Sequence, residues 1–128
     1  MIVLDASAAI DLLLRRGEAE SIHRLVDAHD VHCPELLVIE VAQALRRFEH
    51  RGELSPARAG QALGDLLDLP LEFYPLAPMV RTAWSMRADI SAYDATYVTL
   101  AAGLGAPLVT TDHRLASTAR RHCTIADL

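Results

Sequence analysis

The fold is decided near the amino terminus by Ile2-Val3-Leu4-Asp5-Ala6-Ser7, a short apolar run that ends at an acidic residue. Consecutive apolar and β-branched residues of this kind are typical of a strand that is buried on both faces. Ser7 predicts a helix N-cap, with a helix over 8–15 that Gly17 stops. A buried strand followed at once by a helix predicts the first unit of a parallel α/β fold.

The rest of the chain continues this alternation. Further helices are predicted at 18–28, 35–51, from Ser55-Pro56 onward, 79–88, 92–104 and 113–121, and further strands at 31–33, 71–74, 107–111 and 123–125. Pro34 suits the first position of the helix that follows its strand. Because no hairpin signal joins two strands directly, we predict one α/β domain over residues 1–128, with a parallel central sheet flanked by helices.

The composition excludes several classes of protein. The chain has 128 residues, of which 52% are hydrophobic and 23% charged, as expected for one globular domain. Its net charge of −5 argues against a simple cationic nucleic-acid binder. The chain contains no lysine, which excludes a Walker A loop, a Schiff-base enzyme and a receiver-type phosphoacceptor domain. If nucleic acid is the partner, metal ions must lie between the acidic residues and the phosphates.

Targeting and redox signals are weak in this sequence. Cys33 and Cys123 form no metal-binding pattern, and free thiols are expected. The apolar amino terminus is interrupted by Asp5 and Asp11 and has no basic leader, so we expect no signal peptide. The longest uncharged run, 95–111, contains glycine and proline and is too short to span a bilayer. We therefore expect a soluble, cytoplasmic protein without membrane contact.

Acidic residues occur where predicted strands end and helices begin. Asp5 and Asp112 follow predicted strands, and in open α/β sheets ligands bind outside the carboxyl ends of the strands. Asp94 lies at the start of the helix predicted over 92–104, which faces the same edge. Glu40 lies within a helix, at the margin of its apolar stripe. These four carboxylates are the candidate site.

Each acid taken alone also has a structural interpretation. Asp5 and Asp112 suit helix caps, and Ser91-Ala-Tyr-Asp94 fits an acidic capping box. Glu40 suits an ion pair with an arginine on its own helix. Taken together, clustered carboxylates repel one another, and a hard divalent cation such as Mg²⁺ or Mn²⁺ removes that repulsion.

Four segments in order resemble the PIN-domain family, and especially its VapC ribonuclease toxins. They are Ile-Val-Leu-Asp5-Ala-Ser7, Glu40-Val-Ala-Gln-Ala-Leu45, Tyr93-Asp94-Ala95 and Leu-Val-Thr110-Thr-Asp112. The resemblance extends from residue 2 to the last predicted strand. It implies a Rossmann-like parallel sheet whose acids meet at one end, bind Mg²⁺ or Mn²⁺ and hydrolyse RNA.

The resemblance also implies roles for individual residues. Asp5 and Asp94 match the principal metal ligands of the family, and Glu40 and Asp112 match its remaining acids, which bind metal directly or through water. The hypothesis is therefore metal-dependent hydrolysis of RNA phosphodiester bonds, with water as the nucleophile.

Supporting positions follow from the same comparison. Ser7 and Thr110 match small hydroxyl residues beside the acids. Gln43 stands where the family often has asparagine, and its longer amide is expected to orient Glu40 or a water. Arg114, close to Asp112 in the sequence, is the candidate for gripping the RNA backbone.

The resemblance further implies a homodimer and a cognate antitoxin protein. Two alternatives remain open at this point: a catalytically idle PIN-like interaction module, and a metal-dependent DNase of flap-type fold. An aspartate-nucleophile phosphatase is disfavoured, because Asp5-Ala6-Ser7 lacks the second aspartate expected two residues later.

Overall fold

Four parallel strands form the sheet, and the strand that precedes Asp5 lies inside it. A computed structural model describes all residues, 1–128. The strands are β1 (Ile2–Leu4), β2 (Val31–Pro34), β3 (Leu71–Tyr74) and β4 (Leu108–Val109), in the order β3-β2-β1-β4. All of β1 is buried, since it lies between β2 and β4 in the sheet and the helix Ala92–Leu104 packs against it. This explains why it is an unbroken apolar run.

Seven α-helices surround the sheet. They are α1 (Ala6–Leu14), α2 (Ala19–Ala28), α3 (Leu36–His50), α4 (Pro56–Asp68), α5 (Val80–Ser85), α6 (Ala92–Leu104) and α7 (His113–Ala119), with a 3₁₀ turn at Ala77–Met79. Helix α1 packs against α2, α3 and α4, whereas α5 packs against α6. Helix α6 in turn lies against β1, β2 and β4. The predicted α/β fold with a parallel sheet flanked by helices is confirmed.

Two predicted helix starts were wrong. Asp5, rather than Ser7, caps α1: its Oδ1 accepts a hydrogen bond from the N–H of Ala8 at 2.9 Å, and Ser7 lies in the first turn. Pro34 is the last residue of β2 instead of the first residue of α3. Both helix starts were misplaced for one reason. Where a strand passes into a helix, a polar residue or a proline is compatible with the end of the strand as well as with the start of the helix.

Three predicted elements are shorter than expected. After Val109 the chain turns, so β4 is only two residues long, and the predicted strand at 123–125 is reduced to a single bridge between Leu108 and Ile125. The helix predicted over 79–88 is confined to α5, which ends at Ser85. The helix predicted over 92–104 has the predicted bounds.

Neither cysteine is paired, as predicted. Burial raises the pKa of the Cys33 thiol to about 12, so this thiol is an inert part of the core. None of the helices has both the length and the apolar character that crossing a bilayer requires.

Candidate active site

Asp5 is the only acidic residue in the buried core, with 3% of its surface exposed. Its Oδ1 accepts hydrogen bonds from Ser7 Oγ at 2.7 Å and from the N–H of Ala8 at 2.9 Å. Burial raises the pKa of Asp5 to about 6, although the hydrogen bonds from Ala8, Thr110 and Ser7 act in the opposite direction. Because these hydrogen bonds only partly offset the burial, positive charge nearby would stabilise the charged form of Asp5 further.

Two hydroxyl groups join the carboxyl ends of β1 and β4. Ser7 Oγ and Thr110 Oγ1 are 3.2 Å apart, and Ser7 Oγ also accepts the N–H of Thr111 at 3.0 Å. Thr110 Oγ1 accepts the N–H of Asp112 at 3.1 Å. Ser7 and Thr110 thus link Asp5 to the segment that carries Asp112. Both hydroxyl groups lie beside predicted acids, and their supporting role stays a prediction.

Asp94 and Asp112 line one pocket with Arg114. The pocket has a volume of about 290 Å³, and its wall is formed by Asp89, Ile90, Ser91, Asp94, Asp112, Arg114, Leu115 and Thr118. Asp94 lies in the first turn of α6, where its N–H donates to Ser91 Oγ at 3.1 Å. Asp112 caps α7, its Oδ1 accepting the N–H of Arg114 at 2.9 Å and that of Leu115 at 3.1 Å.

The charges of the predicted acids are coupled through Asp94. The pKa of Asp94 is raised by burial first and then by Asp112, and it is lowered by Ser91 and Arg114. Asp94 in turn raises the pKa values of Asp5 and Glu40. Asp94 is therefore the one predicted acid that is coupled to each of the other three.

Glu40 is held by a residue that the sequence analysis missed. The hydroxyl of Tyr97 donates to Glu40 Oε1 at 2.8 Å, and Tyr97 is 1% exposed. Burial raises the pKa of Glu40, and Asp94 adds to this effect, whereas the hydrogen bond from Tyr97 opposes it. The spacing offered a signal, because Tyr97 follows Asp94 by one helical turn and therefore shares its face.

Gln43 makes no hydrogen bond with Glu40. Its side chain is exposed and forms none elsewhere, so its role in orienting Glu40 stays a prediction.

Arg114 is exposed at the pocket beside Asp94, as its predicted role requires. Asp89 and Thr118, which also line the pocket, were not predicted.

The carboxylate groups of the four predicted acids suit a hard divalent cation, both in the type of ligand atom and in charge. The four predicted acids supply only oxygen ligands, which Mg²⁺ and Mn²⁺ prefer. The pKa values of Asp5, Glu40 and Asp94 are raised by burial first and by neighbouring carboxylates second, and a cation would oppose both effects. However, no three Asp, Glu, His or Cys side chains are close enough to form a ready-made metal cage. Binding an ion would therefore require these side chains to close around it.

A larger surface groove lies elsewhere. It has a volume of about 640 Å³, lies between α1 and α2, and is lined by Leu12, Arg15, Arg16, Gly17, Ala19, Glu20, His23 and Arg24. None of the predicted site residues contributes to it. The smaller acidic pocket is the chemically relevant one, because Asp94, whose pKa is raised, lines it together with Asp112 and Arg114.

Comparison with known proteins agrees with this fold. A model of the PIN domain matches residues 2–121, and the chain belongs to the PIN-domain family. Within that family it is similar to the VapC ribonucleases. It is 42% identical over 125 residues to Ribonuclease VapC9 of Mycobacterium tuberculosis, a match that covers 98% of this chain and 96% of that protein. The resemblance carried by the four sequence motifs is thereby confirmed.

Solved structures show the same fold at lower identity. VapC20 of Mycobacterium tuberculosis, described as a sarcin-ricin loop cleaving toxin, superposes with a TM-score of 0.69 at 17% identity, covering 91% of this chain and 94% of that chain. VapBC2 from Rickettsia felis, solved bound to a DNA fragment from its promoter, gives a TM-score of 0.66 at 13% identity, covering 98% of both chains.

Proposed function

We propose that the protein is a metal-dependent endoribonuclease that hydrolyses RNA phosphodiester bonds and acts as the toxin of a toxin–antitoxin pair. One observation carries the proposal: Asp94 is coupled electrostatically to Asp5, Glu40 and Asp112, and these four acids come from four different parts of the chain. The similarity to VapC9, which is named a ribonuclease, supports the choice of RNA as the substrate.

Asp5 and Asp94 would hold Mg²⁺ or Mn²⁺, with Glu40 and Asp112 binding it directly or through water. The bound ion would supply Lewis-acid stabilisation of the phosphate and activation of a water molecule. It would also join an acidic protein to an acidic substrate, which accounts for a nuclease with a net charge of −5.

The chain's own residues position these groups. Ser7 and the N–H of Ala8 fix one oxygen of Asp5, which limits the directions in which the carboxylate turns. Tyr97 fixes one oxygen of Glu40 in the same way. Arg114 lines the pocket wall and would contact a backbone phosphate of the bound RNA.

The direct test is cleavage of single-stranded RNA by the purified protein. We expect cleavage with Mg²⁺ or Mn²⁺ and none with EDTA. Asp5→Asn and Asp94→Asn are each expected to lower the rate at least about 100-fold, as for loss of a metal ligand. Asp68→Asn, at the exposed end of α4, is the matched control and should cleave normally. Full activity of both site variants would refute the proposal.

Two alternatives are separated by simple comparisons. Cleavage of a DNA strand in preference to the RNA strand of the same sequence would identify a flap-type DNase. Binding of metal without cleavage of either strand would identify an idle interaction module. The coupling of Asp94 to the other three acids supports the nuclease.

An antitoxin is the expected protein partner. The structural neighbour VapBC2 is a toxin–antitoxin complex, which supports such a partner here. We expect induction of the protein alone to stop growth of its host, through action on RNA in the cytoplasm, and co-expression of the cognate antitoxin to restore it. The Asp94→Asn protein should leave growth unchanged. Mapping new 5′ ends across cellular RNA soon after induction would identify the RNA that is cut.

A homodimer is also proposed, formed through an apolar face of α5 and α6. Val80, Trp84 and Tyr93 are 56%, 61% and 64% exposed, respectively. They border a groove of about 200 Å³ whose wall has no charged residue and consists of Leu36, Leu76, Val80, Ala83, Trp84, Ala92, Tyr93 and Thr96. Ile39, one turn beyond Leu36 on α3, is 67% exposed and extends the face. A second copy offers an equally uncharged surface across a two-fold axis.

Sedimentation velocity measures this association. The wild-type protein is expected to sediment as a dimer and Trp84→Glu as a folded monomer. Leu67→Glu is the control, because Leu67 is 65% exposed but lies on α4. A Trp84→Glu protein that remains dimeric would exclude this face as the interface.

A further inference from the structure

A row of polar side chains leads away from the acidic pocket along α7. Arg114 and Thr118 line the pocket, and the N–H of Arg121 bonds to the carbonyl of Thr118, which continues the helical turn beyond α7. Residues spaced by four and then three positions share one helix face. Arg114 and Arg121 are therefore two turns apart, about 10 Å along the axis.

Arg121 is tied to the opposite wall of the same pocket. Its Nη2 lies 3.3 Å from Oδ2 of Asp89, and both side chains are more than half exposed. Asp89 lines the pocket with Asp94 and Asp112, but it precedes α6 and is not one of the four predicted acids. This ion pair thus holds a guanidinium at the edge of the candidate active site.

We propose that Arg121 is a second contact for the RNA backbone, binding a phosphate away from the one that is cleaved, and that Asp89 holds it in place until the phosphate replaces the carboxylate. The inference rests on the proposed ribonuclease function and extends it to the path of the substrate. Together with Arg114, Arg121 would guide the strand along α7.

The chemistry of the ion pair favours this exchange. An exposed ion pair contributes little to stability, so its carboxylate is readily replaced. A guanidinium binds phosphate with the same two-pronged geometry that it uses for carboxylate, and it does not lose its charge. The neighbouring Arg120 is turned about 100° around the helix and has no ion pair, so it is not part of this path.

The test is steady-state cleavage of a single-stranded RNA with Mg²⁺, measured at several salt concentrations. Arg121→Gln is expected to raise KM about 3- to 10-fold with kcat unchanged, and to reduce the slope of log(kcat/KM) against log[salt] by about 0.7. Arg120→Gln removes the same charge one residue away and should match the wild type in both respects.

Asp89→Asn provides a second and opposite measurement. Because it removes the competitor for Arg121, it is expected to lower KM about 2- to 3-fold, and this gain should disappear when it is combined with Arg121→Gln. Equal KM values and salt slopes for wild type, Arg121→Gln and Arg120→Gln would overturn the inference while leaving the ribonuclease intact. A wild-type protein that does not cleave RNA would overturn both.

Discussion

The phenol of Tyr97 donates a hydrogen bond of 2.8 Å to Glu40, a residue 57 positions away in the chain. Burial, and then the charge of Glu40, raise the pKa of Tyr97, so it keeps its proton and acts as a donor throughout the working pH range. Asp94 lies one turn earlier on the same helix. Helix α6 therefore supplies one acid of the candidate site and fixes a second acid that α3 carries.

The Tyr97→Phe variant tests whether this hydrogen bond positions Glu40. Removing the donor leaves Glu40 free to rotate, and we expect cleavage to slow about 10-fold. The hydrogen bond lowers the pKa of Glu40, so its loss should shift the acid limb of the pH–rate profile to higher pH. Tyr93→Phe, on the same helix but exposed, is the control. An unchanged profile would show that Tyr97 has only a packing role.

The stability of the metal-free protein should depend on the charge of Asp5. The pKa of Asp5 is raised from 3.8 to about 6 in the folded state, so the folded state binds the proton more tightly than the unfolded chain does. Protonation of Asp5 therefore favours the folded state, and this contribution to the free energy of unfolding is fully present below about pH 4. It is lost as the pH rises through 6, so that the free energy of unfolding is lower by about 3 kcal/mol at pH 8.

Asp5→Asn removes the charge and keeps an oxygen acceptor for Ser7 and Ala8. With EDTA present, urea unfolding should therefore show the variant to be more stable than wild type at pH 8 and about equally stable at pH 4. A variant less stable than wild type at pH 8 would contradict the electrostatic account of this buried carboxylate.

Divalent metal should reverse this instability. Mg²⁺ or Mn²⁺ that binds only the folded state raises the melting temperature, and the increase grows with the logarithm of the metal concentration relative to its Kd. The increase should be large at pH 8 and small at pH 5, where Asp5 holds a proton that competes with the metal. Differential scanning calorimetry would measure it, with Asp94→Asn expected to lose the increase and Asp68→Asn to retain it. An equal increase in all three proteins would place the bound metal elsewhere.

Two threonines of α6 allow the effect of an unsatisfied hydroxyl group on stability to be compared with that of a hydrogen-bonded one. Thr99 Oγ1 is buried without a hydrogen-bond partner, whereas Thr96 Oγ1 donates to the carbonyl of Tyr93 at 2.7 Å. Thr99→Val should therefore raise the free energy of unfolding by about 1 kcal/mol, and Thr96→Val should lower it or leave it unchanged. Denaturant melts of the two variants provide the comparison. Destabilisation by Thr99→Val would mean that its hydroxyl is satisfied in solution.

The features that the sequence predicted well are those encoded by local patterns. The apolar run before Asp5 predicted a central buried strand, and the pattern of 92–104 predicted α6 with its bounds. Strand periodicity and helix capping involve residues only a few positions apart, so they are visible without a fold. That Asp5, Asp94 and Asp112 share one site stays a prediction, which was drawn from the edge that parallel strands and the helices after them have in common.

What the sequence by itself determined is therefore the alternation of strands and helices and the identity of the acids at their junctions. The tertiary structure alone decided that Tyr97 holds Glu40 and that Asp89 pairs with Arg121 across the pocket. It also decided that β4 stops at Val109, where Thr110 turns to bind the N–H of Asp112. These contacts depend on how helices pack around the sheet, and side chains brought together by packing leave no periodic pattern along the chain.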